Sequence, residues 1–116
     1  MKMVNLRGVY HLPYGSGYGK IDGHDVVVLR QSKRTKKYKV ASITSLEYQN
    51  RITHQMQYRF SALDRVKKDL LTPVPVKELG TQHWSGLDHR YVYVSASSLR
   101  PAKIAKAKFV KSKFLK

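Results

Sequence analysis

Hydrophobic and polar positions change period several times along the chain, and the changes divide it into short segments. Val9-Tyr10-His11-Leu12 is β-branched and aromatic and stops at Pro13 and the run Gly15-Ser16-Gly17-Tyr18-Gly19, a pattern that predicts a strand running into a flexible loop. Asp22-Gly23 is a turn signal, and Val26-Val27-Val28-Leu29 is continuously apolar, as a strand buried on both faces requires. After a polar tip at residues 32–37, Lys39-Val40-Ala41-Ser42-Ile43-Thr44-Ser45-Leu46 alternates well enough to pair with residues 26–31 as a long hairpin. That pairing is expected to return residues 40–45 to the neighbourhood of residues 25–30.

The second half is less regular. Residues 49–59 mix Ile52, Met56 and Tyr58 with polar positions and are ambiguous, although Tyr58-Arg59-Phe60 suits a strand. Ser61-Ala62-Leu63-Asp64 reads as a capping box with Asp in place of Glu, and Leu63, Val66, Leu70 and Leu71 recur at helical spacing, so a helix is predicted over 62–71. Pro73-Val74-Pro75-Val76 excludes a central strand and predicts an extended edge or linker. Residues 80–90 read as loop, and Arg90-Tyr91-Val92-Tyr93-Val94 reads as a strand. Beyond Ser95–Ser98, Pro101 suits a first helical turn, while the alternation of Ala105, Ala107 and Phe109 with lysines fits a strand equally well. Several short strands with one or two short helices predict a β-rich α+β fold, a small barrel, built from residues 1–116 as a single domain.

Composition changes the picture mainly through charge. The 116 residues carry 23 Lys and Arg against 7 Asp and Glu, a formal net charge of +16. Residues 30–45 hold Arg30, Lys33, Arg34, Lys36, Lys37 and Lys39 with no acid, and residues 101–116 hold six lysines with no acid, so these two stretches supply twelve of the sixteen net charges. The second forms a basic C-terminal segment, readable as helix. Concentrated cations bind polyphosphate by neutralising phosphates and releasing counterions, and eight tyrosines add flat rings on which unpaired bases stack. RNA is therefore the expected partner, with Lys20, Lys33, Arg34, Lys36, Lys37 and Lys39 as its binding residues. At 41% hydrophobic, the chain has too much apolar content for a disordered basic tail. The cytosol is the expected location, and no window approaches the roughly 20 apolar residues of a membrane span.

Candidate chemistry is sparse. The chain has no cysteine, which excludes disulfides, thiolate metal sites and cysteine catalysis. His11, His24, His54, His83 and His89 fall at no zinc-binding spacing, and the glycine run lacks both a dinucleotide fingerprint and a P-loop, so neither metal nor cofactor is expected. Metal-free RNA cleavage by the ribose 2′-hydroxyl needs a proton acceptor, a proton donor and cations around the phosphorus oxygens. His24, Asp25 and Arg30 on or before one hairpin strand, with Thr44 and Ser45 ending the other, are the residues that this hairpin would gather.

The order of Arg7-Gly8-Val9-Tyr10, the loop from Leu12 to Gly19, Gly23-His24-Asp25-Val26-Val27-Val28-Leu29, Val40-Ala41-Ser42-Ile43-Thr44-Ser45 and Tyr91-Val92-Tyr93-Val94-Ser95-Ala96-Ser97-Ser98-Leu99 resembles the MazF/PemK/Kid family of toxin endoribonucleases. The resemblance implies an SH3-like barrel, usually a homodimer, that cuts single-stranded RNA without metal and is restrained by an acidic antitoxin. It also implies that Thr44 and Ser45 stand where the family's catalytic hydroxyl lies. His24 and Asp25 replace the Arg and Pro of the family's Arg-Pro turn. Two readings follow: a toxin-like endoribonuclease with His24, Arg30, Thr44 and Ser45 as its chemical set, or a non-enzymatic nucleic-acid-binding barrel, ribosome-associated or phage-encoded. A third possibility from the charge alone is an inhibitor that sets its basic face against an acidic protein.

Overall fold

The structure, a computed structural model, describes residues 4–74 and 84–102. Among these the order of elements is β1 (Val9–His11), β2 (Asp25–Gln31), β3 (Tyr38–Ser45), β4 (Glu47–Gln49), β5 (Met56–Tyr58), α1 (Phe60–Lys67), β6 (Leu71–Val74), β7 (Ser85–Asp88), β8 (Val92–Val94) and β9 (Arg100–Pro101). Single 3-10 turns lie at Gly19–Ile21 and Ala96–Ser98. No helix among the described residues is long and apolar enough to cross a membrane.

β3 is the spine of an antiparallel sheet ordered β6-β7-β3-β2-β1-β9. One side of β3 pairs with β2, from Val26 opposite Ser42 to Gln31 opposite Tyr38. Its other side is shared end to end, with Tyr38–Val40 pairing β8 and Ile43–Ser45 pairing β7. No pairing among the described residues joins the edge strands β6 and β9, so the sheet is open where a closed barrel was expected. β4 and β5 form a separate two-stranded ribbon.

The valine run of β2 is buried on both faces, as its unbroken apolarity predicts. Val26 and Val28 pack with Leu12, Val40, Val94 and Leu99, whereas Val27 packs with Val9, Ala41, Ile43, Val74 and Leu87. Alternate residues of one strand therefore enter two clusters on opposite faces. Val26, Val27 and Val28 are fully buried, and each contributes about 1.5 to 3 kcal/mol by leaving water. A third, smaller cluster of Leu46, Ala62 and Leu71 seats α1 on the sheet.

Several expectations need correction. The helix begins at Phe60, Arg59 is its N-cap without a side-chain hydrogen bond, and Ser61 lies inside it rather than capping it. It ends at Lys67 because Asp69 turns to φ 58°, which releases Leu71 into β6. The ambiguous stretch forms the β4–β5 hairpin, and Phe60 belongs to the helix, not to a strand. Residues 85–88, expected in a loop, are a buried strand. Ser-Gly-Leu-Asp lacks β-branched residues, but it is paired on both sides by β3 and β6. A Cβ at Gly86 would make only ordinary contacts, 3.4 Å from Leu46 Cδ2 and 3.5 Å from Leu71 Cβ, so it is pairing on both sides and not a steric demand for glycine that shapes the strand. Pro73 sits in edge strand β6 as expected, whereas Pro101, expected in a first helical turn, lies in β9. Pro75, Val76 and residues 103–116 of the basic segment lie outside the described residues.

Candidate nucleic-acid interface

The hairpin tip is closed by its own polar groups. Ser32 N donates to Lys37 O (2.8 Å) and Lys36 N to Ser32 O (2.9 Å). Thr35 N donates to Ser32 Oγ (3.2 Å) and Gln31 Nε2 to Lys36 O (3.0 Å). The basic side chains are therefore not needed to hold the turn. Lys33, Arg34, Lys36 and Lys37 are exposed, and none is ion-paired among the described residues.

A bulge in β2 extends this charge onto the sheet. Val28 opposes Val40, but Arg30 opposes Lys39, so Leu29 and Arg30 together span one position of β3. Leu29 packs against the Val27 cluster, and Arg30 comes level with Lys39 instead of Tyr38. Lys39 in turn opposes Tyr93 of β8. The result is a row across three strands in which Arg30 Nη2 donates to Tyr93 Oη at 2.8 Å and Lys39 Nζ lies 4.3 Å from the centre of the Tyr91 ring. The Tyr91 ring also lies beside that of His89, ring centres 6.0 Å apart. Two cations and two tyrosines thus adjoin the four tip cations.

The residues expected for cleavage lie in three places. His24 is exposed ahead of β2, its Nδ1 3.3 Å from Asp22 O. Thr44 and Ser45 are half-buried opposite Gly86 and Ser85 of β7, and Ser45 Oγ donates to Glu47 O at 2.8 Å. Arg30 is at the tip end, and Thr44 is five residues beyond its partner Lys39, about 17 Å along the strand. No hydrogen bond or ion pair among the described residues joins any two of the four. Lys20, in the turn before β2, is at the end of that strand remote from the tip. The glycine loop offers no open cradle either, since Asp22 accepts from Gly17 N and Tyr18 N. Tyr18 Oη accepts from Ser95 N and lies near Ser98 Oγ, contacts that hold its hydroxyl below the usual tyrosine range.

Two ionisable clusters escaped the sequence reading. Asp88 is buried and bound by Arg65 Nη2 (2.7 Å) and by Arg90 through Nη2 and its backbone N. Burial pushes this carboxyl up, but hydrogen bonds from Arg90 and Arg65 outweigh it and leave the group below the usual carboxylate range. The cluster locks α1 to β7. His89 belongs to the same scaffold, as its Nδ1 donates to Asp69 O and its Nε2 faces Thr72 Oγ1. The second cluster is His11 with Asp25, paired across β1 and β2, with Nδ1 to Oδ1 at 2.9 Å. These residues are fourteen apart, and only the strand register brings them together. Among the described residues no group of three or more His, Asp or Glu is placed to hold a metal ion.

No family model matches the chain, and no curated protein or solved structure matches it either.

Proposed function

We propose that the protein binds single-stranded RNA along the β2–β3 hairpin. Lys33, Arg34, Lys36 and Lys37 take the phosphates, and the Arg30, Lys39, Tyr91 and Tyr93 face takes unpaired bases. The observation that carries this reading is the continuity of four exposed, unpaired tip cations with a cation-and-tyrosine row on three adjoining strands. Cations alone would serve any polyanion, whereas the exposed Tyr93 ring beside them, with half-buried Tyr91 behind it, favours strands whose bases are unstacked. The toxin-ribonuclease reading with His24, Arg30, Thr44 and Ser45 as one chemical set has less support, because those residues are spread over the sheet. An SH3-like barrel, a second copy and an acidic antitoxin belong to that family reading and are tested with it.

Fluorescence anisotropy with labelled single-stranded RNA and a duplex of the same sequence, at about 0.1 M salt, decides the matter. Tyr93→Ala is expected to weaken single-strand binding by roughly 5- to 150-fold, the loss of one stacked base, while duplex binding stays weak in both forms. Equal affinity for single strand and duplex would refute the stacking role. Capture of an acidic protein that survives nuclease treatment, with no measurable RNA affinity, would replace RNA by protein as the partner.

A further inference from the structure

We propose that Arg30 reads guanine, so that the tyrosine-bearing face selects single-stranded RNA with an unpaired guanine, an inference that rests on the RNA-binding reading. The arginines around the sheet are held in different ways. Arg65 and Arg90 spend their guanidinium groups on the buried carboxylate of Asp88, and Arg100 gives Nη1 to the carbonyls of Ser97 and Leu99. Arg30 is exposed and forms no ion pair among the described residues. What holds it is the hydroxyl of an exposed ring, Nη2 donating to Tyr93 Oη at 2.8 Å.

A guanidinium carries five N–H donors in one plane and no acceptor. The bond to Tyr93 uses one of them and fixes the group beside the ring, while Nε and Nη1 have no partner among the described residues. No carboxylate offsets its charge, and a fork already in place gives up less side-chain freedom on binding than a free one. The one-residue bulge at Leu29 makes this possible by setting Arg30 level with Lys39, which opposes Tyr93. Lys39 lies over the Tyr91 ring and supplies only a point charge, which attracts any acceptor.

A base stacked on Tyr93 brings its edge to this fork, because the hydroxyl at the rim of the ring is the atom that Arg30 holds. A group that only donates needs two adjacent acceptors to be satisfied twice. Guanine presents them as O6 and N7, whereas adenine places its N6 amino group, a donor, beside N7. Uracil separates its two oxygens by the N3 proton. Cytosine sets O2 beside N3, but its single ring covers less of the tyrosine than a purine does, and stacking strength orders the two. Guanine is the base that satisfies ring and fork together, and it must be unpaired, since a base inside a duplex cannot lie flat on a side chain.

The test uses the full chain and fluorescence anisotropy with labelled oligouridines that differ only in a central guanine, adenine, cytosine or uracil, circular dichroism confirming that each variant is folded. The guanine oligonucleotide is expected to bind tighter than the adenine one by roughly 5- to 150-fold, the discrimination of one bidentate contact. A central 7-deazaguanine, which lacks the N7 acceptor, should lose most of that gain. Arg30→Lys keeps the charge but not the fork, and should bind the guanine and adenine oligonucleotides alike. Tyr93→Phe keeps the ring but releases the guanidinium, and should lower the guanine preference while the affinity for plain oligouridine stays that of the wild type. Equal affinity of the wild type for guanine and adenine, cytosine bound as tightly as guanine, or an undiminished preference in Arg30→Lys would overturn this proposal and leave the RNA-binding reading standing. Absence of binding to every oligonucleotide would overturn both.

Discussion

Replacing Lys33, Arg34, Lys36 and Lys37 together by Ala should change the salt dependence of RNA binding more than any other surface substitution. For single strands, each neutralised phosphate contributes about 0.7 to the slope of log affinity against log salt. Four tip cations each engaging one phosphate therefore account for a slope of about 2.8. Between about 50 and 200 mM salt that slope alone is worth about 50-fold in affinity. The variant should consequently lose about 50-fold less than the wild type across that range, and the two curves should converge at high salt. The fold should be unaffected, since the tip turn is held by Ser32, Thr35, Gln31 and backbone groups. Lys67→Ala/Lys68→Ala supplies the control: both lie on or beside α1, and Lys68 is already paired with Asp64 at 3.0 Å. Anisotropy titrations at four salt concentrations read the slopes. A tip variant with the wild-type slope, or a control variant with an equal loss of slope, would refute the placement of phosphate contacts at the tip.

Other expectations follow from the scaffold. Asp88→Asn should cost about 1.5 to 3 kcal/mol at neutral pH, because it replaces the charged acceptor of the Arg65 and Arg90 hydrogen bonds by a neutral amide. Since the folded carboxyl titrates below its unfolded value of about 3.9, its contribution is present above that pH and fades as pH falls toward the folded value. Urea titrations of wild type and variant should therefore begin to converge below about pH 4, and a gap independent of pH would refute the linkage. Leu99→Ala, in a fully buried position of the Val26 cluster, should cost about 2 to 5 kcal/mol in urea unfolding. Gly23→Ala should cost about 1 kcal/mol, seen as a lower thermal midpoint, because φ is 82° there and the new Cβ meets the Tyr14 ring.

Where local pattern and burial coincide, the sequence is readable. The valine run of β2 and the alternation of β3 are strong signals because those strands are core strands, and the turn at 32–37 is local. β7 failed for the opposite reason. Ser85, Gly86 and Asp88 have poor strand preference, and their conformation is imposed by β3 and β6 on either side and by the two arginines on Asp88. α1 was shifted because its buried contact is Ala62 with Val66, not the leucines that mark the helical period. Its end is set by a left-handed Asp69, a backbone feature that no hydrophobic count reveals.

The same distinction separates the two halves of the candidate site. The cationic tip is legible because charge in a hairpin turn needs no partner strand to become exposed. The row on the sheet is not, since its alignment depends on a one-residue bulge at Leu29 that brings Arg30 level with Lys39 and Tyr93. Had the hairpin continued in register, Arg30 would face Tyr38 and the row would lose its guanidinium. His24 attracted attention as the residue standing in the family's turn, yet the imidazole with a carboxylate behind it is His11, on a strand whose neighbours are decided by pairing alone. Residue types can nominate a histidine, but only strand register decides which one has an aspartate beside it.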